Sequence, residues 1–101
     1  MRIDFFTLFP EAFDWFRGQR HVTNAIAQGH ELRFFNYRDT TPLTGGQVDD
    51  APYGGGAGMV LRVDVVDAAL QAAYGPEGSP GRVIVLAPSG RQFDEALARE
   101  L

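Results

Sequence analysis

Apolar runs and helical periodicities alternate along the first third of the chain. The apolar run Ile3–Phe9 predicts a buried strand, and Pro10 suits the first position of a helix that ends at Gly18. A short helix over Asn24–Gln28 and a second strand over Leu32–Tyr37 follow. Strands that alternate with helices favour an α/β layer with a mostly parallel sheet and helices on both of its faces.

The middle of the chain interrupts this alternation. Asp39–Gly58 has no periodicity and holds six glycines and two prolines. A short strand is expected over Met59–Val63, and Asp64 is expected to cap a helix. The apolar face of that helix comprises Val65, Val66, Ala69, Leu70 and Ala73.

The last quarter repeats the strand-then-helix order after the turn-rich connection Tyr74–Gly81. The β-branched run Val83–Ala87 predicts a fourth strand, and Pro88–Gly90 predicts a tight turn. Asp94 is expected to favour the start of a last helix, whose apolar positions are Phe93, Ala96, Leu97 and Leu101. A chain that stops within a helical pattern suggests the N-terminal part of a longer protein, and open sheet edges lead us to expect self-association.

Composition narrows the class of protein. The chain has 101 residues, of which 45% are hydrophobic, so we expect one domain over residues 1–101 with a core of its own. The absence of cysteine excludes a disulfide framework, a zinc-thiolate site and a cysteine nucleophile. The short apolar runs and the early Asp4 predict no membrane span and no signal peptide, so we expect a soluble, cytoplasmic protein.

Charge constrains the partners. Nine basic residues, all arginine, stand against 13 acidic residues, for a net charge of −4. This balance disfavours non-specific nucleic-acid binding, which depends on neutralising phosphates. A specific RNA partner held by a few local contacts stays open, because arginine is well suited to bidentate phosphate contacts.

The first candidate for chemistry is the glycine-rich segment Val48–Met59. Consecutive glycines suit a backbone that approaches a ligand closely. Tyr53 has a ring that can stack on a base, and Asp49 and Asp50 have carboxylates that accept hydrogen bonds from base donors. The alternative is a flexible loop whose acidic residues only cap a turn, and the residues alone favour neither interpretation.

The second candidate is the turn that follows the fourth predicted strand. In an open α/β sheet, ligands bind where strands end and helices begin. Backbone groups of Leu86, Ala87 and Pro88 can line a pocket for adenine or ribose, with Gly90 bringing an N–H group close. An ordinary strand-to-helix turn is the simpler interpretation, and the chain has no G-x-G-x-x-G or phosphate-binding lysine motif.

Taken together, these segments resemble the bacterial tRNA (guanine-N1)-methyltransferases of the TrmD family. The resemblance runs in family order over essentially the whole chain. The most specific string is Asp49-Asp50-x-Pro52-Tyr53-Gly54-Gly55-Gly56-x-Gly58-Met59. It is flanked by Phe6-Thr7-Leu8-Phe9-Pro10-Glu11-Ala12-Phe13, Tyr37-Arg38-Asp39 and Val85-Leu86-Ala87-Pro88-Ser89-Gly90-Arg91.

The resemblance implies a fold and an activity. The expected fold is the N-terminal part of a SPOUT-type (trefoil-knot) methyltransferase domain, without the knot itself. The expected activity is methyl transfer from S-adenosylmethionine to N1 of guanine 37 in tRNA, by a cytoplasmic homodimer with Mg²⁺ in the full-length enzyme. The general base of the family lies in its later half, so no catalytic residue and no metal ligand is assigned to this chain, and the chain alone is predicted to be inactive.

The resemblance also implies site residues. The cofactor contacts would be Leu86, Ala87, Pro88 and Gly90. The substrate side would comprise Asp49, Asp50, Tyr53, Gly54, Gly55, Gly56 and Gly58. The family usually carries basic residues where this chain has Thr44–Gln47, and serine where it has Ala87. The alternative function is a stand-alone α/β nucleotide-binding or dimerisation module without catalysis.

Overall fold

A parallel pair of strands opens the fold. The computed structural model describes residues 1–50, 60–76 and 78–101. Strand β1 (Arg2–Thr7) pairs in parallel with strand β2 (Glu31–Asn36), in a register that places Phe5 opposite Phe34. Both predicted strands are confirmed, with ends that differ by one or two residues from those expected.

The connection between the two strands is helical, as a parallel pair requires. It begins with a 3₁₀ turn at Pro10–Phe13 and continues as helix α1 (Asp14–Arg17) and helix α2 (Arg20–Ala27). Gly18 closes α1, as predicted. Helix α2 begins four residues before the predicted Asn24. Val22 in its first turn stands at helical spacing from Ala25 and Ile26, a signal that the prediction did not use.

One face of the sheet packs against this connection through phenylalanine rings. The Phe5 ring stacks on Phe34 at a centroid distance of 4.8 Å and meets Phe13 at 5.2 Å and Phe16 at 6.4 Å. The Arg17 guanidinium lies 3.7 Å above the centre of the Phe34 ring. The aromatic cluster therefore joins β1, β2 and the helical connection.

The unpatterned segment after β2 contains short elements. Helix α3 (Tyr37–Thr40) continues directly from β2, a 3₁₀ turn covers Thr44–Gly46, and strand β3 is Asp49–Asp50. Strand β4 (Val60–Leu61) lies within the short strand predicted over Met59–Val63. These elements are too short to produce a periodicity that the sequence reveals.

The opposite face of the sheet carries the C-terminal end of a longer helix. Helix α4 (Val63–Tyr74) follows β4 and ends at Gly75, whose φ of +79° favours glycine. The Tyr74 ring lies 6.1 Å from Phe6, and its hydroxyl donates to an Asp4 carboxylate oxygen over 2.6 Å. With 12 residues, α4 is the longest described helix, and none of the described helices combines the length and apolar character needed to cross a bilayer.

The start of α4 differs from the expectation. The helix begins at Val63 with Arg62 as its N-cap, so the prediction that Asp64 is the cap is wrong. Asp64 lies in the first turn, where its carboxylate accepts from the Val65 N–H (3.0 Å) and pairs with Arg62. It still places negative charge at the positive end of the helix. The predicted apolar face is confirmed by Val65 and Ala69, which are fully buried.

The prediction of a strand over Val83–Ala87 is wrong. Residues 82–87 have no regular secondary structure, and the side chains of Val83–Leu86 are 58–93% exposed. A β-branched run forms a strand only when a neighbouring strand completes its hydrogen bonds, and the described residues provide none here. Helix α5 (Glu95–Glu100) is present as predicted, capped by the Asp94 carboxylate, which accepts from the Leu97 N–H over 2.9 Å.

Candidate functional site

The two ends of the glycine-rich segment are held together. Strands β3 and β4 are antiparallel, and the register places Asp49 opposite Leu61 and Asp50 opposite Val60. The Arg62 N–H donates to the Val48 carbonyl over 2.9 Å and extends this pairing by one bond. The Val48 side chain is only 1% exposed. The residues that flank 51–59 in the sequence, Asp50 and Val60, therefore lie opposite each other.

The structure places only part of the predicted substrate side. Asp49 and Asp50 form β3, and Asp49 is half-buried. The remaining predicted substrate residues, Tyr53, Gly54, Gly55, Gly56 and Gly58, lie outside the described residues. The roles assigned to all seven residues stay predictions.

Side chains from the neighbourhood of α3 bind the backbone that leads into β3. Arg38 Nη1 donates to the Gly46 carbonyl (3.0 Å), and Thr41 Oγ1 donates to the Gln47 carbonyl (2.5 Å). Gln47 Nε2 donates to the Asp49 carbonyl over 3.1 Å. Together with the bond from Arg62 to Val48, four successive carbonyls, from residue 46 to residue 49, all accept hydrogen bonds. The sequence did not predict this arrangement, because side-chain bonds to an irregular backbone leave no periodic signal.

Two polar groups of α3 are buried. Burial raises the pKa of the Tyr37 phenol, whose ring lies 6.2 Å from Phe6. The Thr40 hydroxyl is also buried, and it finds no hydrogen-bond partner among the described residues. A buried hydroxyl without a partner lowers stability, because it has lost its water without a replacement.

Replacing Thr40 with valine is therefore expected to raise the free energy of unfolding by about 1 kcal/mol. Valine has nearly the shape of threonine and nothing to leave unpaired. Urea denaturation of the two proteins measures the difference. The matched control is Thr23→Val in α2, which removes a bond from Thr23 Oγ1 to the Arg20 carbonyl (2.9 Å) and is expected to give no gain. A loss of stability in Thr40→Val would mean that the hydroxyl does have a partner.

The predicted cofactor residues lie at a turn near the C-terminal end. The Gly90 N–H donates to the Ala87 carbonyl over 3.0 Å, which confirms the predicted turn over Pro88–Gly90. A Cβ at Gly90 would lie 3.3 Å from that carbonyl, so the turn itself favours glycine there. The Leu86 side chain is 93% exposed.

The described residues do not join the cofactor turn to β3 or β4. Residues 82–101 bond to one another: Arg82 Nη1 donates to the Glu100 carbonyl (3.2 Å), and Arg91 pairs with Glu100 (3.2 Å). In the part of the chain that the structure describes, no hydrogen bond, ion pair or ring contact joins residues 82–101 to residues 1–76. The cofactor roles of Leu86, Ala87, Pro88 and Gly90 thus stay predictions.

The chemistry of these residues is compatible with an adenosine-containing methyl donor, and their assignment as its contacts stays a prediction. The exposed apolar side chain of Leu86, next to Pro88, offers a surface on which a purine ring can pack. The described residues supply one such wall. They contain no group of three histidine or acidic side chains arranged to hold a metal ion, so no described residue is assigned as a magnesium ligand.

A polar network under the sheet was also not predicted from the sequence. Asp4, in β1, accepts two bonds from Arg33 of β2, at 2.7 and 2.9 Å, and one from Tyr74. The bond from Arg33, ahead of the smaller effects of its other neighbours, lowers the pKa of Asp4 from 3.8 to about 2. The available signal was an acidic and a basic residue at opposite register positions within two otherwise apolar strands.

The parallel βαβ unit and the antiparallel pair β3–β4 define an α/β protein, and this arrangement is that of the N-terminal portion of a SPOUT-class structure. Comparison with known proteins gives the family. The model of the tRNA (Guanine-1)-methyltransferase TrmD family matches residues 1–101, and the chain belongs to this family.

Relatives and a solved structure agree with this assignment. The whole chain is 42% identical over 102 residues to a tRNA (guanine-N(1)-)-methyltransferase of Deinococcus radiodurans, and 39% identical over 105 residues to one of Limosilactobacillus reuteri. It spans 37% and 42% of their lengths. The crystal structure of tRNA (m1G37) methyltransferase from Aquifex aeolicus superposes with a TM-score of 0.65 at 34% identity, covering 74% of this chain and 35% of that one.

Proposed function

We propose that residues 1–101 form the N-terminal portion of a methyltransferase domain that transfers a methyl group from S-adenosylmethionine to N1 of guanine 37 in tRNA. The observation that carries the proposal is the pairing of β3 with β4, because it brings together the residues on either side of 51–59. That segment holds the string most specific to the family. The complete protein acts, on this proposal, as a cytoplasmic homodimer.

The chemistry gives each part a task. Guanine N1 carries a proton that must leave as the methyl group arrives, so the reaction needs a proton acceptor. The base must also leave its stack to meet the donor. On this proposal Tyr53, Gly54, Gly55, Gly56 and Gly58 line the space for the guanine, and Asp49 and Asp50 contact tRNA or order the segment. Leu86, Ala87, Pro88 and Gly90 hold the donor, and no residue of this chain is assigned as the proton acceptor.

The exposed run Val83–Leu86 supports the homodimer. Four consecutive apolar side chains with 58–93% exposure form the kind of surface that proteins cover with another strand or another subunit. On this proposal, association also helps to bring the cofactor turn into a complete site, which the described contacts of one chain do not build.

The test uses two proteins. The 101-residue chain alone, incubated with tRNA and labelled S-adenosylmethionine, is expected to transfer no methyl group. It spans 37% and 42% of the two relatives, and the resemblance places the general base in the later half of the family. A chimera in which this chain replaces the 102 aligned residues of the Deinococcus relative is expected to methylate guanine N1. Nuclease digestion and mass spectrometry of the product locate the methyl group, and light scattering gives the size of the particle.

Site variants make the test residue-specific. Asp49→Asn in the chimera is expected to lower kcat/KM about tenfold or more, because a charged hydrogen-bond acceptor is lost. The matched control Glu11→Gln, an exposed acid at the helical connection, is expected to stay within about twofold. A folded chimera that methylates another atom, or none, would refute the proposed function, as would turnover by the 101-residue chain alone.

A further inference from the structure

We infer that Arg38, Thr41 and Gln47 are positioning residues for strand β3, which leads into the glycine-rich segment. Their side chains, called here the carbonyl clamp, hold the backbone that enters β3. The inference concerns the position of β3, and its relevance to methyl transfer rests on the proposed function.

The carbonyl clamp acts on a stretch that regular structure leaves unsupported. Strand β3 begins at Asp49, so residues 46–48 lie outside the strand pairing. Among the described residues, their one backbone bond to the neighbouring strand's side is the one that the Val48 carbonyl accepts from the Arg62 N–H. The clamp supplies donors to the carbonyls of Gly46, Gln47 and Asp49. Backbone carbonyls are obligatory acceptors, and four engaged in succession leave the strand little freedom to shift.

The clamp is anchored to the sheet. Helix α3 continues from β2, and its first turn is fixed by the Asn36 Oδ1 atom, which accepts from the Arg38 N–H over 2.9 Å. The Thr41 hydroxyl accepts from the Leu43 N–H (3.2 Å) while it donates to Gln47. Arg38 and Thr41 are thereby tied to the end of β2, whereas Gln47 bonds within the stretch that enters β3. The first two residues therefore fix the path into β3 relative to the parallel pair.

The glycines that follow β3 in the sequence are the reason why its position is important for the reaction. The sequence places three consecutive glycines at Gly54–Gly56, which have no side chains to pack and lose much conformational freedom when they are ordered. The three glycines lie between β3 and β4 in the sequence. We therefore expect the backbone on either side of them to matter for the reaction. A misplacement of about 1 Å of a group that positions a reactant can cost about a hundredfold in rate. The clamp therefore bears on the rate of the reaction more than on global stability.

Hydrogen exchange on the 101-residue chain tests the positioning directly. Thr41→Val keeps the shape of the side chain and removes its donor. It is expected to speed exchange of the Arg62 amide, which bonds to Val48, roughly three- to tenfold. Amides of the β1–β2 ladder are expected to stay unchanged. Thr41→Ser restores the hydroxyl and is expected to restore slow exchange, whereas Thr23→Val, the matched control in α2, is expected to leave the Arg62 amide as it was.

Kinetics of the chimera give a second readout. Thr41→Val and Arg38→Met are expected to lower kcat roughly tenfold with KM within about twofold. Thr41→Ser is expected to recover most of the loss. Unchanged exchange at Arg62, or equal acceleration over the whole chain, would overturn the inference. An inactive wild-type chimera would refute the proposed function instead, and the exchange result would still decide whether the clamp holds β3.

Discussion

Replacing Phe5 with alanine is expected to lower the free energy of unfolding by about 3 kcal/mol. The Phe5 ring lies at the centre of the aromatic cluster, with Phe34 stacked at 4.8 Å and two further rings within 6.4 Å. Removing the Phe5 ring eliminates its contacts with both β2 and the helical connection. Since small domains hold only about 5–15 kcal/mol, this loss is a large share of the total. Urea denaturation, monitored by circular dichroism, measures this loss of stability. The dependence of the free energy of unfolding on urea concentration is expected to stay the same if both proteins unfold in a two-state manner.

The matched control is Phe93→Ala. Phe93 is the same residue type, is 70% exposed, and makes no ring contact with the described residues. Its replacement is expected to change stability by less than about 0.5 kcal/mol. Equal losses in the two variants would show that the aromatic cluster around Phe5 does not hold the parallel unit together.

The parallel unit was predictable because each of its signals is local. Ile3–Phe9 and Leu32–Tyr37 are apolar runs, and both contain strands in the structure. The helix after Pro10 follows from proline chemistry and the spacing of Phe13 and Phe16. The start of α2 was placed too late, although Val22, Ala25 and Ile26 show the helical spacing that would have extended the helix towards Arg20.

The run Val83–Ala87 shows that a strand-like local sequence does not always form a strand. Its composition is as strand-like as that of β1, but strand formation depends on a partner rather than on propensity. In the described residues that partner is missing, and the run is exposed. The same limit applies to the candidate site. The string around Asp49 identified the segment, whereas the carbonyl clamp depends on the path of an irregular backbone that no residue pattern encodes.

The second large effect is expected at Asp4. Asp4→Asn is expected to lower the free energy of unfolding at pH 7 by about 2 kcal/mol. The Asp4 side chain is 8% exposed and joins three elements, through Arg33 on β2 and Tyr74 at the end of α4. An amide keeps the size of the side chain but cannot accept both bonds from the guanidinium or offset its charge. Thermal or urea denaturation measures the loss.

The control is the exposed ion pair between Arg91 and Glu100, whose side chains are both well hydrated. Glu100→Gln removes one charge from an ion pair, as Asp4→Asn does, but this pair lies in contact with water, where the high dielectric constant weakens the attraction between the charges. Its expected effect is less than about 0.5 kcal/mol. A loss at Glu100 as large as the loss at Asp4 would show that burial does not strengthen the Asp4 network.

The pH dependence distinguishes the lost charge from lost packing. The pKa of Asp4 is depressed from 3.8 to about 2, so its contribution is complete above about pH 4 and disappears as the pH falls towards 2. The difference in stability between the wild type and Asp4→Asn is therefore expected to shrink over that interval, while the other carboxylates cancel in the comparison. Tyr74→Phe removes one of the bonds to Asp4 and raises its pKa in the folded state, so the lower end of the interval is expected to rise while its upper end stays near pH 4. A difference that stays constant from about pH 7 to pH 2 would mean that the asparagine variant loses packing, and that the charge of Asp4 does not hold α4 to the sheet.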